Sequence, residues 1–370
     1  MTSNDLPALA RDDMIDHALR NGAWAVFSLS GGKDSGAAAF AGTRYLDSIG
    51  HPRRRRLAIH ADLGEIEWRS TPTTVAAIAA ATNLELIVVR RAAGGLYDRW
   101  CQRFENGKRR YEALETYHLI GPWSSSRLRF CTSELKTQVI GRDISRRLQG
   151  QVVISIVGIR RDESRSRAST PIAQRDDRFA KPGNSAGTAI YLWHPIANWS
   201  ASQVFDLHRS TGFPLHEAYD LWQADRMGCA YCVLASQRNL AASARAPGNA
   251  DIYRSLVALE ARSTFSFQPT RWLGDVAPHL LSLGAANDLQ GAKIDAIQRR
   301  EIEARMPPGL RFQKGWPPRV PSLDEATHIA RARMTIIRRH GLSNRYPSPR
   351  AVKARFAELI ELKSIRAARA

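Results

Sequence analysis

The sequence predicts an α/β protein with a doubly wound, mostly parallel sheet, followed by a helical C-terminal region. Short apolar runs typical of buried strands alternate with helical patterns along the first part of the chain. The predicted strands are residues 24–29, 56–60, 84–89, 152–157 and 190–193. Parallel sheets bind ligands at the carboxyl ends of their strands. The residues that follow each run are therefore the candidates for a site.

Helical patterns separate the predicted strands. Ser200 and Gln203 form a capping box that opens the last helix of the sheet region. A polar stretch with Pro, Gly and Asn at residues 168–189 predicts a mobile loop over the site. The other predicted helices are residues 35–46, 70–82, 96–117 and 132–148, after an N-terminal helix within residues 1–22.

The strand signals stop near residue 235, and this change predicts two domains. Residues 1–235 are expected to form the sheet domain, including the cysteine cluster described below. Residues 236–370 are expected to form a helical, basic C-terminal region. Within it, a proline-rich linker at residues 307–321 precedes two basic helices, which are separated around Pro347 and Pro349.

The chain carries a large positive charge. Its 370 residues include 54 Lys and Arg against 35 Asp and Glu, which leaves a formal net charge of +19. This charge favours a polyanionic partner, nucleic acid first, over an Arg-rich protein that only solvates its surface. The basic residues are clustered: four in a row at 53–56, four Arg within 160–167, and eleven Lys and Arg from Arg331 onward against Glu358 and Glu361.

The sequence has no apolar run as long as a membrane span, and residues 1–14 have neither a signal-peptide core nor a basic leader. We therefore expect a cytoplasmic location and no membrane partner. In that compartment, the four cysteines are expected to be metal ligands or catalytic thiols and not a disulfide scaffold.

The first predicted strand ends in the hexapeptide SGGKDS, and a helical pattern follows at once. Gly31 and Gly32 allow a tight turn that brings backbone N–H groups close to a ligand, and the helix N-terminus adds partial positive charge. Lys33 adds a cation, and the Ser30 and Ser35 hydroxyls are able to donate to phosphate oxygens. Strand, glycine turn and helix in this order favour a phosphate site over a turn without a ligand.

The hexapeptide resembles the PP-loop, SGGxDS, of the ATP pyrophosphatases and of the phosphoadenosine phosphosulfate (PAPS) reductase family. Four further segments match that family in order, so that the resemblance covers about residues 20–240 and not the C-terminal third. They are ADLG at 61–64, where the family has Asp-Thr-Gly; RFCTSELK at 129–136, for Arg-x-Cys-x-x-x-x-Lys; GIRRDESR at 158–165, for Gly-x-Arg-x-x-Glu-Ser-x-x-Arg; and HPIANW at 194–199, for Pro-Ile-x-x-Trp.

This resemblance implies an adenine nucleotide alpha hydrolase-like fold that binds ATP with Mg²⁺. ATP carries its charge along the triphosphate, and four cations are candidates to clamp it during an in-line displacement: Lys33, Lys136, Arg160 and Arg161. Asp34 is expected to act with them.

Asp62 follows a predicted strand, where it either holds Mg²⁺ or a ribose hydroxyl or caps the next helix. Gly158 and Arg165 complete the expected nucleotide site, although Arg165 is alternatively a solvated side chain. Glu163 is expected to orient an Arg and not to act as a base.

Cys229-x-x-Cys232 has metal-ligand spacing, and the resemblance implies that Cys131 lies close to it. Adenylylsulfate reductases and DNA phosphorothioation ATP pyrophosphatases use four cysteines for a [4Fe–4S] cluster. Here Phe130 precedes a single Cys131 where the reductases have a Cys pair, so the fourth ligand is either Cys101 or absent, which leaves an open iron for an exogenous sulfur atom. Zinc on the same ligands, a reversible Cys229–Cys232 disulfide, and a buried, non-ligating Cys101 are the alternatives.

We therefore predict an ATP pyrophosphatase that adenylates a nucleic-acid oxygen for sulfur insertion, with DNA phosphorothioation preferred over tRNA thiolation. The implied partners are DNA or tRNA, a cysteine desulfurase as sulfur donor and other modification proteins. The first alternative is a sulfonucleotide (PAPS or APS) reductase; those enzymes use a nucleophilic Cys near the C-terminus, and no Cys follows Cys232 here. The second is a non-catalytic, nucleotide-sensing protein that binds nucleic acid.

Overall fold

The computed structural model describes residues 6–313 and 315–368, and the chain divides into two compact units. The first unit is Met1–Leu96 with Ser126–Asn249, and the second is Tyr97–Ser125 with Ala250–Ala370. This division differs in two places from the sequence-based boundary at residue 235. The first unit extends to Asn249, and an internal segment, Tyr97–Ser125, belongs to the second unit.

The described part of the first unit contains a six-stranded sheet. Its strands are β1 (Trp24–Ser28), β2 (Arg56–Asp62), β3 (Glu85–Arg90), β4 (Val152–Val157), β5 (Ala173–Arg175) and β6 (Ala189–Trp193). Their order is β3-β2-β1-β4-β6-β5, and only the β5–β6 pair is antiparallel. The predicted doubly wound, mostly parallel sheet is thus confirmed, and its order reverses between β1 and β4, where such sheets bind ligands.

Strand β5 lies inside the stretch predicted to be a mobile loop. Ala173 pairs with Trp193 and Arg175 with Tyr191, so three residues of this stretch form the sheet edge. The strand is too short and too polar to give an alternating apolar pattern, because its stability comes from pairing with β6 and not from burial.

Helices cover both faces of the sheet in this unit. Val26 packs into one apolar cluster and its neighbour Phe27 into the other, because successive strand residues point to opposite faces. Burial on both faces explains the continuous apolar strand runs. The helices are α1 (Asp13–Arg20), α2 (Lys33–Ser48), α3 (Thr71–Ala81), α5 (Phe130–Thr132), α6 (Gln138–Arg147), α7 (Ala201–Thr211), α8 (Glu217–Asp220) and α9 (Gln237–Arg245).

The second unit is helical. It contains most of α4 (Leu96–Glu112) together with α10 (Ala250–Ser263), α11 (Leu283–Ala304), α12 (Leu323–Arg339) and α13 (Pro349–Ala368). Ser322 and Glu325 form a capping box that opens α12, and Pro349 begins α13, so the predicted break between the two basic helices is present. None of the described helices combines the length and the hydropathy needed to cross a membrane.

Part of the positive charge stabilises the fold. The run of four arginines at residues 53–56 lies at the amino end of β2, opposite the carboxyl ends where the site is expected. Arg56 is buried and donates to Asp47 at 2.6 Å and to His51 Nδ1 at 3.3 Å. The guanidinium of this arginine is therefore buried and paired with Asp47 at the edge of the fold, and it is not available to a partner.

Glu260, on α10, holds the loop that follows this helix. Its buried carboxylate accepts the backbone N–H groups of Phe267 at 2.6 Å, Leu273 at 2.8 Å and Gly274 at 3.1 Å. Burial raises the pKa of Glu260 from 4.5 to about 7, although the three N–H donors act in the opposite direction.

We predict that Glu260→Ala lowers the free energy of unfolding by about 3 kcal/mol, because three buried N–H groups lose their acceptor. Glu260→Gln keeps an amide oxygen and should cost much less. Since the folded-state pKa lies above the unfolded value, the wild type should lose stability as the pH rises from about 4.5 through about 7, and Glu260→Gln should remove that part of the slope. Urea denaturation at several pH values measures both effects; equal destabilisation by the two substitutions would contradict this role.

Candidate functional site

The hexapeptide SGGKDS forms the turn between β1 and α2, at the carboxyl end of a central strand. Gly31 has φ of +75°, a conformation that favours glycine. Gly32 is the N-cap of α2 with φ −78° and ψ 154°, so only the first of the two glycines needs the left-handed region. Because α2 begins at Lys33, the N–H groups of its first turn lie at this edge of the sheet.

The two serines of the turn hold its shape. Ser30 Oγ donates to Ser35 Oγ at 3.1 Å, and Ser35 Oγ donates to the Gly32 carbonyl at 2.8 Å. The motif predicts that both hydroxyls donate to phosphate oxygens. Here they hydrogen-bond within the loop and keep it in a conformation that can receive an anion.

Asp34 is shared by two buried cations. Lys33 Nζ lies 2.7 Å from Asp34 Oδ2, and Arg160 Nε lies 2.5 Å from Asp34 Oδ1. Only 4% of Lys33 and 3% of Arg160 is exposed. Burial lowers the pKa of Lys33, and the Asp34 charge partly offsets this effect. Arg160 also forms an ion pair with the exposed Asp162, so two carboxylates balance the two cations of this network.

Gly158, at the end of β4, lies against the backbone of the turn. A Cβ atom on Gly158 would lie 2.3 Å from the Asp34 carbonyl oxygen, closer than any side chain tolerates. Its lack of a side chain lets β4 approach the turn and brings Arg160 within reach of Asp34. The residue predicted to bind nucleotide is thus required for packing in the described structure.

The arginines that follow β4 have different contacts. Arg161 donates to the Thr170 carbonyl at 3.0 Å and to Asn198 Oδ1 at 3.1 Å, so it fixes the adjacent loop. Arg165 is exposed and makes no side-chain contact with the described residues. Arg167 instead forms an ion pair with Glu163.

Arg167 is therefore a better candidate for the site than Arg165. The spacing Glu-Ser-x-x-Arg, counted from Glu163, ends at Arg167 and not at Arg165. Arg226 reaches the same carboxylate at 2.6 Å. The signal for Arg167 was present in the motif, whereas nothing in the sequence around Arg226 indicates this pairing.

Four guanidinium groups share this end of the sheet. Burial lowers the pKa of Arg167, and the charges of Arg226, Arg129 and Arg160 lower it further while Asp34 raises it. Like charges this close repel one another unless an anion neutralises them. The arrangement therefore suits a ligand with several negative charges, such as a polyphosphate.

Two aromatic residues support the turn from the segment before the cysteine pair. The Tyr219 hydroxyl accepts the N–H groups of Lys33 and of Met227, each at 3.3 Å. The Lys33 ammonium lies 5.5 Å and 5.8 Å from the ring centres of Phe205 and Tyr219. His208 Nε2 donates to the Lys33 carbonyl at 2.9 Å. None of these three side chains was a candidate in the sequence, because their contacts join segments more than 170 residues apart.

Asp62 caps its own turn. Its Oδ1 accepts the Gly64 N–H at 2.7 Å, and Arg90 Nε lies 3.7 Å from Oδ2. It does not cap α3, the helix that the sequence analysis offered as an alternative. The side chain is 33% exposed, which leaves it accessible to a cation or a ribose hydroxyl.

Three of the four cysteines belong to the first unit. Cys131 lies on α5, Lys136 lies in the π-helical turn that follows it, and Cys229 and Cys232 lie between α8 and α9. Burial raises the pKa of Cys229 to about 12; Lys136 lowers it, and the Cys232 and Cys131 thiols raise it. The three thiols and Lys136 are thus electrostatic neighbours. The resemblance implies that Cys131 lies close to the Cys229–Cys232 pair, whereas Lys136 is predicted as one of the cations that clamp the triphosphate.

The predicted metal sites are not preformed. Throughout residues 6–313 and 315–368, no group of three or more His, Cys, Asp or Glu side chains could hold a metal ion. Cys101 belongs to the second unit, where its Sγ accepts a long hydrogen bond of 3.8 Å from Arg262. These residues do not fit the expected iron–sulfur or zinc site as they stand.

The fold and this edge of the sheet define an α/β protein with a glycine turn at the point where the order of its parallel strands reverses. The profile of the phosphoadenosine phosphosulfate reductase domain matches residues 25–235, and the chain belongs to this family. Among solved structures, the PAPS reductase of Candida auris in its phosphate complex covers 59% of this chain and 86% of its own, with 16% identity and a TM-score of 0.36. No curated protein matches the chain.

We predict that Gly158→Ala lowers the free energy of unfolding by about 2 kcal/mol or more, because the new methyl group collides with backbone that cannot rotate away. Gly32→Ala is the matched control: its Cβ would meet its nearest neighbour at 3.5 Å, an ordinary contact. The free energy of unfolding of Gly32→Ala should stay within about 1 kcal/mol of the wild-type value. Thermal and urea denaturation compare the two, and a neutral Gly158→Ala would refute the packing role.

We also predict that Tyr219→Phe speeds alkylation of Cys229 about fivefold, because the segment that carries this thiol loses a hydrogen bond worth about 1 kcal/mol to the turn. Tyr191→Phe is the control, since its hydroxyl has no hydrogen-bond partner within the described chain. Peptide mass spectrometry after timed exposure to a thiol reagent gives the rate at each cysteine. Equal rates in wild type and Tyr219→Phe would show that the hydroxyl does not couple the two segments.

Proposed function

We propose that this chain binds ATP at the SGGKDS turn, cleaves it between the α- and β-phosphates, and transfers the adenylate to an oxygen of a nucleic acid, so that sulfur can replace that oxygen. The observation that carries the proposal is the buried Lys33–Asp34–Arg160 network at the start of α2. Cations held at a helix N-terminus stabilise the charge that develops on a leaving pyrophosphate.

Each residue of the network has a role in this reaction. Lys33 and Arg160 balance the phosphate charge, and Arg167 and Arg226 extend the positive field. Asp34 keeps both cations in place before the nucleotide arrives. Mg²⁺ uses one or two carboxylates together with substrate phosphates, so accessible Asp62 fits a magnesium nucleotide without a preformed metal site.

The second stage exchanges oxygen for sulfur. The outer sulfur of a persulfide, loaded by a cysteine desulfurase, attacks the adenylated centre, and AMP leaves with the original oxygen. A second thiol then breaks the S–S bond by forming a disulfide, so the sulfur stays on the nucleic acid, and a thiol reductant restores the two thiols. DNA phosphorothioation is the preferred instance, supported by the resemblance and by the charge of +19, and tRNA thiolation is second. We assign no step to a metal cluster. Iron and zinc analysis of protein purified without oxygen tests whether Cys131, Cys229 and Cys232 acquire one.

We predict that Lys33→Ala lowers pyrophosphate release from Mg-ATP by at least a hundredfold, because a buried cation that offsets leaving-group charge is worth about 3 kcal/mol or more. Lys363→Ala, on the exposed end of α13, is the control for charge loss and should retain the wild-type rate. The assay uses ATP labelled at the α-phosphate, with DNA, with tRNA and with neither. Wild-type release by Lys33→Ala would exclude adenylation at this turn.

Family membership favours one second candidate, a sulfonucleotide reductase. That enzyme would release sulfite from PAPS or APS with thioredoxin, and it would not form AMP and pyrophosphate from ATP. The same protein sample distinguishes the two reactions. Sulfite release without α,β cleavage of ATP would replace the proposed function with this one.

A further inference from the structure

A groove of about 670 Å³ runs along α6 in the first unit. One wall is a row of helix and turn side chains from Ser133 to Gln149. The other wall consists of Arg178, Phe179 and Ala186, from the segment between β5 and β6. The groove is not part of the phosphate-binding turn, and the family resemblance assigns it no role.

All of the side chains that the helix contributes to the groove are polar. Arg142 and Arg146 alternate with hydroxyl and amide groups at intervals that keep all of them on one face of the helix. The fifteen helical residues from Ser133 to Arg147 span about 21 Å, which is the axial length of roughly six phosphates of a duplex strand. Arginine, hydroxyl and amide groups are the side chains that contact phosphodiester oxygens in nucleic-acid complexes.

The groove is held open by contacts behind its walls. Ser145 Oγ donates to the Phe179 carbonyl at 2.9 Å and joins the two walls. The Phe179 ring fills the space above Gly141, where a Cβ would lie 2.3 Å from it. Asp176 accepts from Arg178 at 2.6 Å. These contacts fix the groove before any ligand arrives, which lowers the entropic cost of binding.

Charge identifies the occupant as a polyanion. Arg142 is exposed and makes no ion pair with any described residue, so its charge faces the groove unbalanced. Between Arg127 and Lys181, thirteen Lys and Arg stand against six Asp and Glu. The groove also starts at Ser133, in the turn that carries Lys136 and follows Cys131. A nucleic-acid strand that lies in the groove would therefore end beside the cysteine thiols.

We propose that this groove binds the phosphodiester backbone of the nucleic-acid substrate and leads it to the site at the carboxyl edge of the sheet. The proposal rests on the proposed function and deepens it, because it names the surface that selects a nucleic acid. It also assigns the binding of the nucleic acid to the first unit and not to the basic helices α12 and α13 of the second unit.

The test compares two arginines of one helix. Arg142→Gln removes the unpaired charge in the groove; Arg147→Gln removes an exposed charge one turn away that does not line it and that contacts Asp143 at 3.1 Å. Fluorescence anisotropy measures binding of labelled duplex DNA and of tRNA from low to high salt. We expect Arg142→Gln to weaken binding several-fold and to reduce the slope of log K against log salt by about 1, while Arg147→Gln keeps the wild-type slope.

Other results would overturn the assignment in distinguishable ways. Equal slopes for Arg142→Gln and Arg147→Gln would exclude the groove, even if nucleic acid still stimulates pyrophosphate release. Competition by polyglutamate as strong as that by DNA would assign the groove to an acidic protein. Groove-dependent DNA binding without α,β cleavage of ATP would support the groove and refute the proposed function instead.

Discussion

The structure of the site depends on one buried interaction, the sharing of Asp34 by Lys33 and Arg160. Buried charges are costly unless they are paired, so replacing Asp34 would leave the Lys33 ammonium without a carboxylate, whereas Arg160 would keep Asp162. The pairing also requires β1 and β4 to be neighbours, since Asp34 follows one strand and Arg160 the other. Gly158 makes the approach possible because it has no side chain. The ion pairs of Asp34 therefore depend on the order of the strands, on the packing at Gly158 and on the charges of the paired side chains.

From that network, contacts extend in two directions. The Tyr219 hydroxyl accepts the N–H of Lys33 and that of Met227, two residues before Cys229, so the SGGKDS turn and the cysteine segment share one acceptor. The Glu163 carboxylate forms ion pairs with Arg167 and with Arg226. The turn and the segment that carries Cys229 are therefore joined through one side chain.

The formal net charge of +19 is larger than the positive charge that is accessible to a binding partner. Arg56 and Arg160 are buried in ion pairs in the first unit, and Arg299 and Arg333 are buried in the second. Arg299 pairs with Glu303 at 2.9 Å, and Arg333 donates to the Tyr111 carbonyl at 2.5 Å. The charge available to a polyanion is concentrated on exposed arginines whose side chains have no internal partner. The number of Lys and Arg residues in the sequence does not distinguish the buried arginines from the exposed ones.

The sequence by itself determined the strand-turn-helix unit, the parallel sheet and the breaks between the C-terminal helices. These follow from the spacing of apolar, glycine and proline residues, which acts over a few positions of backbone. Only the tertiary structure decided that the loop serines hydrogen-bond to each other and that Tyr219 and Arg226 contact the candidate site. It also formed β5 from three polar residues. Those features depend on contacts between distant segments, such as that of Asp34 with Arg160. Local sequence patterns do not indicate which distant side chains will be in contact.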